Sequence, residues 1–162
     1  WKAAAEAIEQ ALEHIVAFRK QEGLALQKKF EEKLQNIGKL MADIEPYEKA
    51  RVEKIRTRIV DALKDIPEVD YDKNRLEQEL IYYIEKLDIS EEKQRLTNHL
   101  KYFAKTMNDE SEQGKKLGFI AQEMGREINT TGSKSNQAEM QQLVVKMKDE
   151  LEQIKEQVLN IL

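Results

Sequence analysis

Two carboxylates at helical spacing are the first candidates for chemistry in this chain. Glu123 and Glu127 are four residues apart in a stretch whose apolar residues recur every three or four positions, so they fall on one helix face. Neighbouring carboxylates repel each other unless a cation lies between them. The pair therefore indicates either a metal or acid–base site, or a solvated face that Arg126 and nearby lysines neutralise.

A second polar set lies in the preceding helical segment. Glu92, Arg95 and His99 follow one another at i, i+3 and i+7 and share a face, and Glu91 lies one turn before the arginine. A carboxylate, a guanidinium and an imidazole on one face can bind a metal and a phosphate. A structural ion pair beside a hydrogen-bonded histidine has the same spacing. The other histidine, His14, is interpreted as a surface or partly buried residue of the first helix.

A third set, Arg75 and Glu79, has the i, i+4 spacing that usually marks a surface ion pair. If the three helical segments pack side by side, their polar faces can converge. Oxygen ligands of this kind suit Mg²⁺ or Mn²⁺, and a histidine shifts the preference toward manganese. Such a metal would polarise a phosphodiester and activate water, while the arginines hold the phosphate.

Small residues mark the opposite side of the helix that carries the first pair. Four of the six glycines of the chain lie in this region. Glycine inside a helix costs about 1 kcal/mol relative to alanine, so repeated glycines predict a close approach by a partner helix or a ligand backbone. The stripe consists of Gly114, Gly118, Ala121 and Gly125, and Gly132 continues its spacing.

Composition and periodicity indicate an all-α fold. Charged residues make up 36% of the chain and only two prolines occur, which is typical of long or coiled helices. An apolar period near 3.5 predicts one long helix over Lys2–Ile44, or two nearly coaxial helices with a weak point at Gly23. A second helix over Pro46–Lys64 is expected to fold back on it as an antiparallel, coiled-coil-like hairpin. The predicted domains are this hairpin, over residues 1–70, and a bundle of shorter helices over 71–162.

The ends of the shorter helices carry recognisable signals. Asp72 is predicted to cap one helix, and Ser90 followed by glutamates begins the next. Residues 130–134 are predicted to form a loop that suits an anion, or an ordinary interhelical turn. Asn136 with Glu139 three residues later predicts a capping box for the last helix.

Charge and composition exclude several classes of protein. The net charge of −4 excludes a generally basic nucleic-acid binder, although four basic and two acidic residues between Gly114 and Lys134 fit local contact with phosphate. The absence of cysteine excludes disulfides and thiolate chemistry. No apolar run reaches membrane-spanning length and no signal peptide is visible, so we expect no membrane association and a cytoplasmic location. Because the chain begins at Trp1 in helical sequence, we interpret it as lacking an N-terminal part.

Several short motifs occur in a recognisable order: Arg75–Glu79, Asp88–Glu92, Arg95-Leu96, His99-Leu100, Gly114–Leu117, Gln122–Met124, Arg126-Glu127, Asn129-Thr130, Ser133-Lys134 and Glu156–Val158. In these motifs, and over essentially its whole length, the chain resembles the C-terminal half of the bacterial YicC/YloC family.

The resemblance implies a metal-dependent endoribonuclease of the bacterial cytoplasm that acts on RNA and assembles into ring-like homo-oligomers. The implied cofactor is Mn²⁺ or Mg²⁺. The implied catalytic positions are His99, Glu123 and Glu127. The implied metal ligands are Glu79, Glu91, Glu92, Glu123 and Glu127. The implied contacts to RNA phosphate are Arg75, Arg95, Arg126 and Lys134.

Two departures from the family pattern leave alternatives open. The family usually has Asp where this chain has Gly118, and Asn where it has Gly125. Loss of a polar group there favours a non-cleaving RNA-binding adaptor, and the long hairpin with the net acidity favours a structural helical oligomerisation module. The family's N-terminal half is expected to contribute to RNA binding and assembly, so activity of this chain alone is not expected.

Overall fold

The computed structural model describes residues 2–65, 72–109 and 113–161, and within these ranges it contains helices and no strand. The all-α class is therefore confirmed. The predicted connector over 66–71 and the end of the predicted polar turn, 110–112, lie outside the described residues. The helices are α1 (Lys2–Ala42), α2 (Glu45–Lys64), α3 (Lys73–Leu87), α4 (Ser90–Asp109), α5 (Gly114–Lys134) and α6 (Ala138–Val158).

The core is an antiparallel four-helix bundle built from the C-terminal half of α1 and from α4, α5 and α6. Each of these helices packs against two neighbours, in the cyclic order α1, α4, α5, α6. The rings of Phe30 and Phe103 meet edge to face across α1 and α4, with centroids 5.4 Å apart. Fully buried apolar side chains from all four helices fill the interior, including Ile37, Leu96, Leu117, Met124, Ile128, Met140, Met147 and Ile154.

The glycine stripe of α5 faces α6. A Cβ added at Gly125 would lie 3.3 Å from Leu151 Cδ2, and one at Gly132 would lie 3.0 Å from Val144 Cγ1. These distances leave little room for a side chain, so the glycines let the two helices approach closely. The predicted close contact is confirmed, and the partner is a helix.

The first two helices form one bent helix of 63 residues. Ile44 keeps right-handed helical angles at the bend, with φ −73° and ψ −28°, and its carbonyl accepts from the amides of Tyr47 and Glu48. Pro46 lies in the first turn of α2, where the missing amide hydrogen is tolerated, so the chain bends there without reversing.

The antiparallel partners of α1 and α2 therefore differ from the expected ones. The C-terminal half of α1 packs on α6 and α4, and Lys33 pairs with Glu150 of α6 at 3.1 Å. α2 instead packs antiparallel to α3, with Arg56 Nη2 2.9 Å from Glu77 Oε1. The apolar stripe of α1 fits the bundle because three other amphipathic helices enclose it there.

The N-terminal half of α1 extends away from the bundle. Ile8, Leu12 and Ile15 were expected to face a partner helix, but they are 61%, 56% and 54% exposed. His14 is exposed on the same segment, as its surface interpretation allows. In the described residues, no helix is long and apolar enough to cross a membrane.

The N-terminal cap predicted from the sequence is correct for α3 and wrong for α6. The predicted cap at Asp72 is confirmed, because its Oδ1 accepts from the amide of Asn74 at 2.8 Å. The predicted capping box of α6 is wrong, because the N-cap is Gln137 and makes no side-chain capping bond.

The predicted loop over 130–134 is also wrong, because α5 continues through Lys134. Thr130 and Thr131 donate hydrogen bonds from their hydroxyls to backbone carbonyls one turn earlier, at 3.0 and 2.8 Å. These bonds are compatible with a continuous helix, and Gly132 packs against α6, so the segment is held as the last turn of α5.

Candidate functional site

The predicted polar residues of α4 and α5 meet along the surface where these two antiparallel helices touch. Arg95 Nη1 of α4 lies 3.9 Å from Glu127 Oε1 of α5. Two turns further along α4, the Tyr102 ring lies beneath Lys116 of α5, with 5.2 Å between Nζ and the ring centroid. His99 lies between these two contacts along α4 and is partly exposed. We call this surface the α4–α5 seam; it comprises Arg95, His99 and Tyr102 of α4 and Lys116, Glu123, Arg126 and Glu127 of α5.

Each seam carboxylate already has a cationic neighbour. Glu127 is buried, with 8% of its surface exposed, and faces Arg95. Glu123 lies 2.8 Å from Arg126 Nη1, and Arg95 also pairs with Glu91. The arginines remain largely solvent-exposed, at 55% for the Arg95 side chain and 66% for that of Arg126. The seam therefore presents two accessible guanidinium groups beside two carboxylates and an imidazole.

The predicted metal ligands do not assemble into one set. Across residues 2–65, 72–109 and 113–161, no group of three or more His, Asp or Glu side chains is arranged to hold a metal ion. Glu79 is exposed on α3, which packs along α2. The donor groups of this part of the chain thus do not fit a complete Mg²⁺ or Mn²⁺ site, which needs several converging oxygen ligands.

Lys134, a predicted phosphate ligand, is engaged inside the protein. Its Nζ lies 2.8 Å from Glu92 Oε1 and donates to the carbonyl of Asp88 at 2.9 Å. Glu92 is 5% exposed, and its other oxygen, Oε2, is buried and has no hydrogen-bond partner among the described residues. Because a buried charge needs a partner, this ion pair is best understood first as a structural contact between the start of α4 and the end of α5.

Arg51 of α2 completes this contact, and the sequence interpretation missed it. Its guanidinium donates to the carbonyl of Lys134 at 3.0 Å and to that of Leu87, and the residue is 6% exposed. Burial lowers the pKa of Arg51, and the nearby Glu48 carboxylate opposes that shift. Helical spacing was the sequence signal for the burial of Arg51. It lies four residues before the buried Ile55 and therefore on the apolar face of α2.

The expected convergence of three polar sets holds for two of them. The α4 and α5 sets meet at the seam, whereas Arg75 and Glu79 are exposed on α3 and form no ion pair with each other or with another described residue. The seam is therefore the place where the predicted catalytic residues lie together.

Comparison with known proteins decides the family. Residues 44–162 match the family described as "Endoribonuclease YicC-like, C-terminal". This chain belongs to the YicC-like endoribonuclease family. It is 35% identical over 164 residues to "Probable endoribonuclease YicC" of Clostridioides difficile (strain 630), an alignment that covers 99% of this chain and 56% of that protein.

A second relative has the same name and is matched over a similar share of its length. The chain is 30% identical over 155 residues to "Probable endoribonuclease YicC" of Haemophilus influenzae (strain ATCC 51907 / DSM 11121 / KW20 / Rd), covering 96% of this chain and 54% of that protein. The chain thus spans about half the length of the curated relatives it matches. The family resemblance inferred from the motifs is confirmed.

The two positions at which the resemblance implied departures from the family pattern, Gly118 and Gly125, lie on the face of α5 that packs on α6. A Cβ at Gly118 would lie 3.7 Å from Val158 Cγ1, and Gly125 approaches Leu151. Both contacts are to α6, whereas Glu127 faces Arg95 of α4. The glycines therefore do not remove a side chain from the seam.

Proposed function

We propose that the full-length protein cleaves RNA internally and that the α4–α5 seam contacts the phosphodiester that is cut. Family membership supports the reaction class. The observation that supports the location is the contact between Arg95 and Glu127, 3.9 Å apart, beside a partly exposed His99. Internal cleavage needs a group that takes a proton from the attacking oxygen and one that gives a proton to the leaving oxygen.

The seam residues suit these roles. Arg95 is accessible, and a guanidinium can form two parallel hydrogen bonds to a phosphate, which would compete with its pair to Glu91. Imidazole is the side chain most often used to move protons near neutral pH, which makes His99 the proposed acid–base group. Glu127 is proposed to orient the arginine and to share proton transfer with Glu123.

Metal dependence remains part of the proposal for the whole protein. Mn²⁺ or Mg²⁺ would polarise the phosphodiester and activate water. Because the described carboxylates of this chain do not form a three-ligand set, further ligands would have to come from the rest of the protein, from a second copy or from RNA. Three other expectations also stay predictions. They are the homo-oligomer, the cytoplasmic location, and the contacts of Arg75, Arg126 and Lys134 to RNA phosphate.

Cleavage of a structured RNA by the full-length protein tests the proposal. We expect Glu127→Gln to slow cleavage at least about a hundredfold, as is usual for loss of an acid–base group. The matched control is Glu139→Gln, on the exposed start of α6, which should cleave normally. Because Glu127 is buried, thermal unfolding of both variants must be compared. Equal cleavage by the two variants would rule out a role for Glu127.

A non-cleaving RNA-binding adaptor is the second candidate. It is favoured by the pairing of Glu123 with Arg126 and of Glu127 with Arg95, since paired carboxylates are also what a static binding surface would contain. It predicts that RNA binds in a strongly salt-dependent manner and is recovered intact. Recovery of RNA cut at defined internal positions, lost in Glu127→Gln, would exclude it.

A further inference from the structure

An open cavity of about 260 Å³ lies between α2, α3 and Asn136 of the segment that joins α5 to α6. Its apolar wall includes Ile55 of α2 and Leu87 of α3. The cavity is also lined by the aromatic ring of Tyr83 and by two cationic side chains, Arg58 and Lys86. The residues that line the cavity include no carboxylate. The cavity therefore combines apolar surface, a flat ring and positive charge.

This combination matches the chemistry of a nucleotide, which has a planar base and an anionic phosphate. We propose that the cavity binds one unpaired nucleotide, with its base against Tyr83 and the apolar wall and its phosphate between Arg58 and Lys86. Aromatic side chains stack on any base, and cations beside them hold the backbone. The proposal rests on the function proposed above, because it supplies a second contact for RNA.

The lack of carboxylate partners for Arg58 and Lys86 among the described residues supports the assignment. Arg56, two residues before Arg58, is held by Glu77 at 2.9 Å. Arg58 itself forms no hydrogen bond or ion pair with another residue of the described ranges, and it is exposed. Lys86 Nζ lies 5.9 Å from the ring of Tyr82 and has no carboxylate partner among the described residues. Two cations without carboxylate partners beside one cavity leave a positive site for a phosphate.

The size of the cavity limits the ligand. Pockets that enclose drug-sized molecules usually have volumes of about 300–1,000 Å³. A cavity of 260 Å³ is below that range, so it suits a single base with its phosphate at the rim and not a duplex. Asn136 at the edge carries an amide that can donate to and accept from the edge of a base.

The cavity lies at the end of the bundle where the seam also ends. Asn136 follows Lys134, the last residue of α5, by two positions, and Glu127 lies two helical turns earlier. Two turns correspond to about 10 Å along the helix axis. A single RNA strand that reaches the seam therefore has only a short way to the cavity.

Photo-crosslinking of the full-length protein tests the proposal directly. The probes are a short oligouridylate that contains 4-thiouridine and, separately, free 4-thiouridine 5′-monophosphate. We expect a crosslink in the α3 peptide that contains Tyr83, identified by mass spectrometry. A crosslink with the oligomer alone would identify RNA as the source of the nucleotide, and one with the free monophosphate would identify a mononucleotide ligand; both support the site. Crosslinks only elsewhere, with either probe, would overturn it.

Two substitutions of Tyr83 provide a matched control. Tyr83→Leu removes the flat ring but keeps an apolar side chain, whereas Tyr83→Phe keeps the ring and removes only the hydroxyl. Tyr83→Leu should lower affinity for the oligouridylate on the order of tenfold, by fluorescence anisotropy, because a stacking surface is lost. Tyr83→Phe should bind as the unmodified protein does. Equal affinities of the two variants would overturn the assignment of Tyr83.

The charge contribution is tested in the same way. Arg58→Gln with Lys86→Gln should weaken binding on the order of tenfold and reduce its salt dependence. Lys54→Gln with Lys73→Gln, which removes two exposed charges from the same two helices, is the control. These readouts measure binding and not cleavage, so a protein that binds here but does not cut RNA would contradict the proposed function and leave this site standing.

Discussion

Lys134 of α5 and Glu92 of α4 form an ion pair, with Nζ 2.8 Å from Oε1, where the glutamate side chain is only 6% exposed. Arg51 donates to the carbonyl of the same lysine and to that of Leu87. The helical hairpin of α2 and α3 is thus tied to the bundle by charged groups that are largely removed from water. Glu92 and Lys134, which belong to the motifs shared with the family, therefore stabilise the packing of the helices.

Removal of the lysine should be strongly destabilising. Lys134→Met leaves the Glu92 carboxylate buried without a cation, and breaking a buried pair in this way usually lowers the free energy of unfolding by about 3 kcal/mol or more. Urea denaturation measures the change. The control is Lys49→Met, whose pair with Glu45 is exposed at 76% and 55%, and no measurable change is expected there. Similar stabilities for the two variants would show that the buried pair contributes little.

Arg51 should control the attachment of the hairpin. Arg51→Met removes donors from two carbonyls at the ends of α3 and α5, so the hairpin should open locally more often. Amide hydrogen exchange should become faster in α2 and α3, while the centre of α5 keeps its protection. The same increase in Arg56→Met, which loses only the exposed pair with Glu77, would show that Arg51 has no special role.

The close approach of α5 and α6 predicts a large effect of side-chain size. A Cβ at Gly125 would already lie 3.3 Å from Leu151 Cδ2, so Gly125→Leu should overpack the interface and lower the free energy of unfolding by about 1–3 kcal/mol. Gly23→Leu, on α1 with no atom within 4 Å of an added Cβ, should instead increase helicity. Thermal unfolding followed by circular dichroism measures both, and equal effects would contradict the predicted contact.

The sequence predicted the helices better than their partners. Helical periodicity and the cap at Asp72 are local signals, and both were interpreted correctly. The partner of α1 was not predictable, because the apolar stripe around Phe30 and Ile37 fits any amphipathic helix of similar length. Pro46 looked like a reversal of the chain, but proline in a first turn permits a bend as readily as a hairpin.

The site was predictable only in part for a similar reason. Spacing along one helix placed Glu123 and Glu127 together, and the antiparallel packing of α4 and α5 brought Arg95 beside the latter. Spacing carries no information on which charged group is buried, so the pairing of Lys134 with Glu92 was not anticipated. Threonine and glycine near 130–134 suggested a loop, whereas packing on α6 favours a helix.

Addition of metal gives a further prediction. Because no three-ligand set is present within the described residues, Mn²⁺ should not change amide exchange in α4 or α5 of the isolated 162-residue chain in the absence of RNA. The experiment compares exchange with Mn²⁺ and with a chelator. Strong protection around Glu92 or Glu123 on addition of Mn²⁺ would show that a metal binds at these helices after all.

The most direct test of the central claim compares the two histidines of the chain. His99 lies on the seam and His14 on the exposed part of α1, so His99→Gln and His14→Gln make the same chemical change at a proposed catalytic position and at a control. The measurement is the single-turnover rate of RNA cleavage by the full-length protein, with RNA binding measured in parallel. We predict that His99→Gln binds RNA normally and cleaves at least about a hundredfold more slowly, while His14→Gln cleaves at the unmodified rate. Equal cleavage rates for the two variants would contradict the assignment of the seam as the catalytic surface.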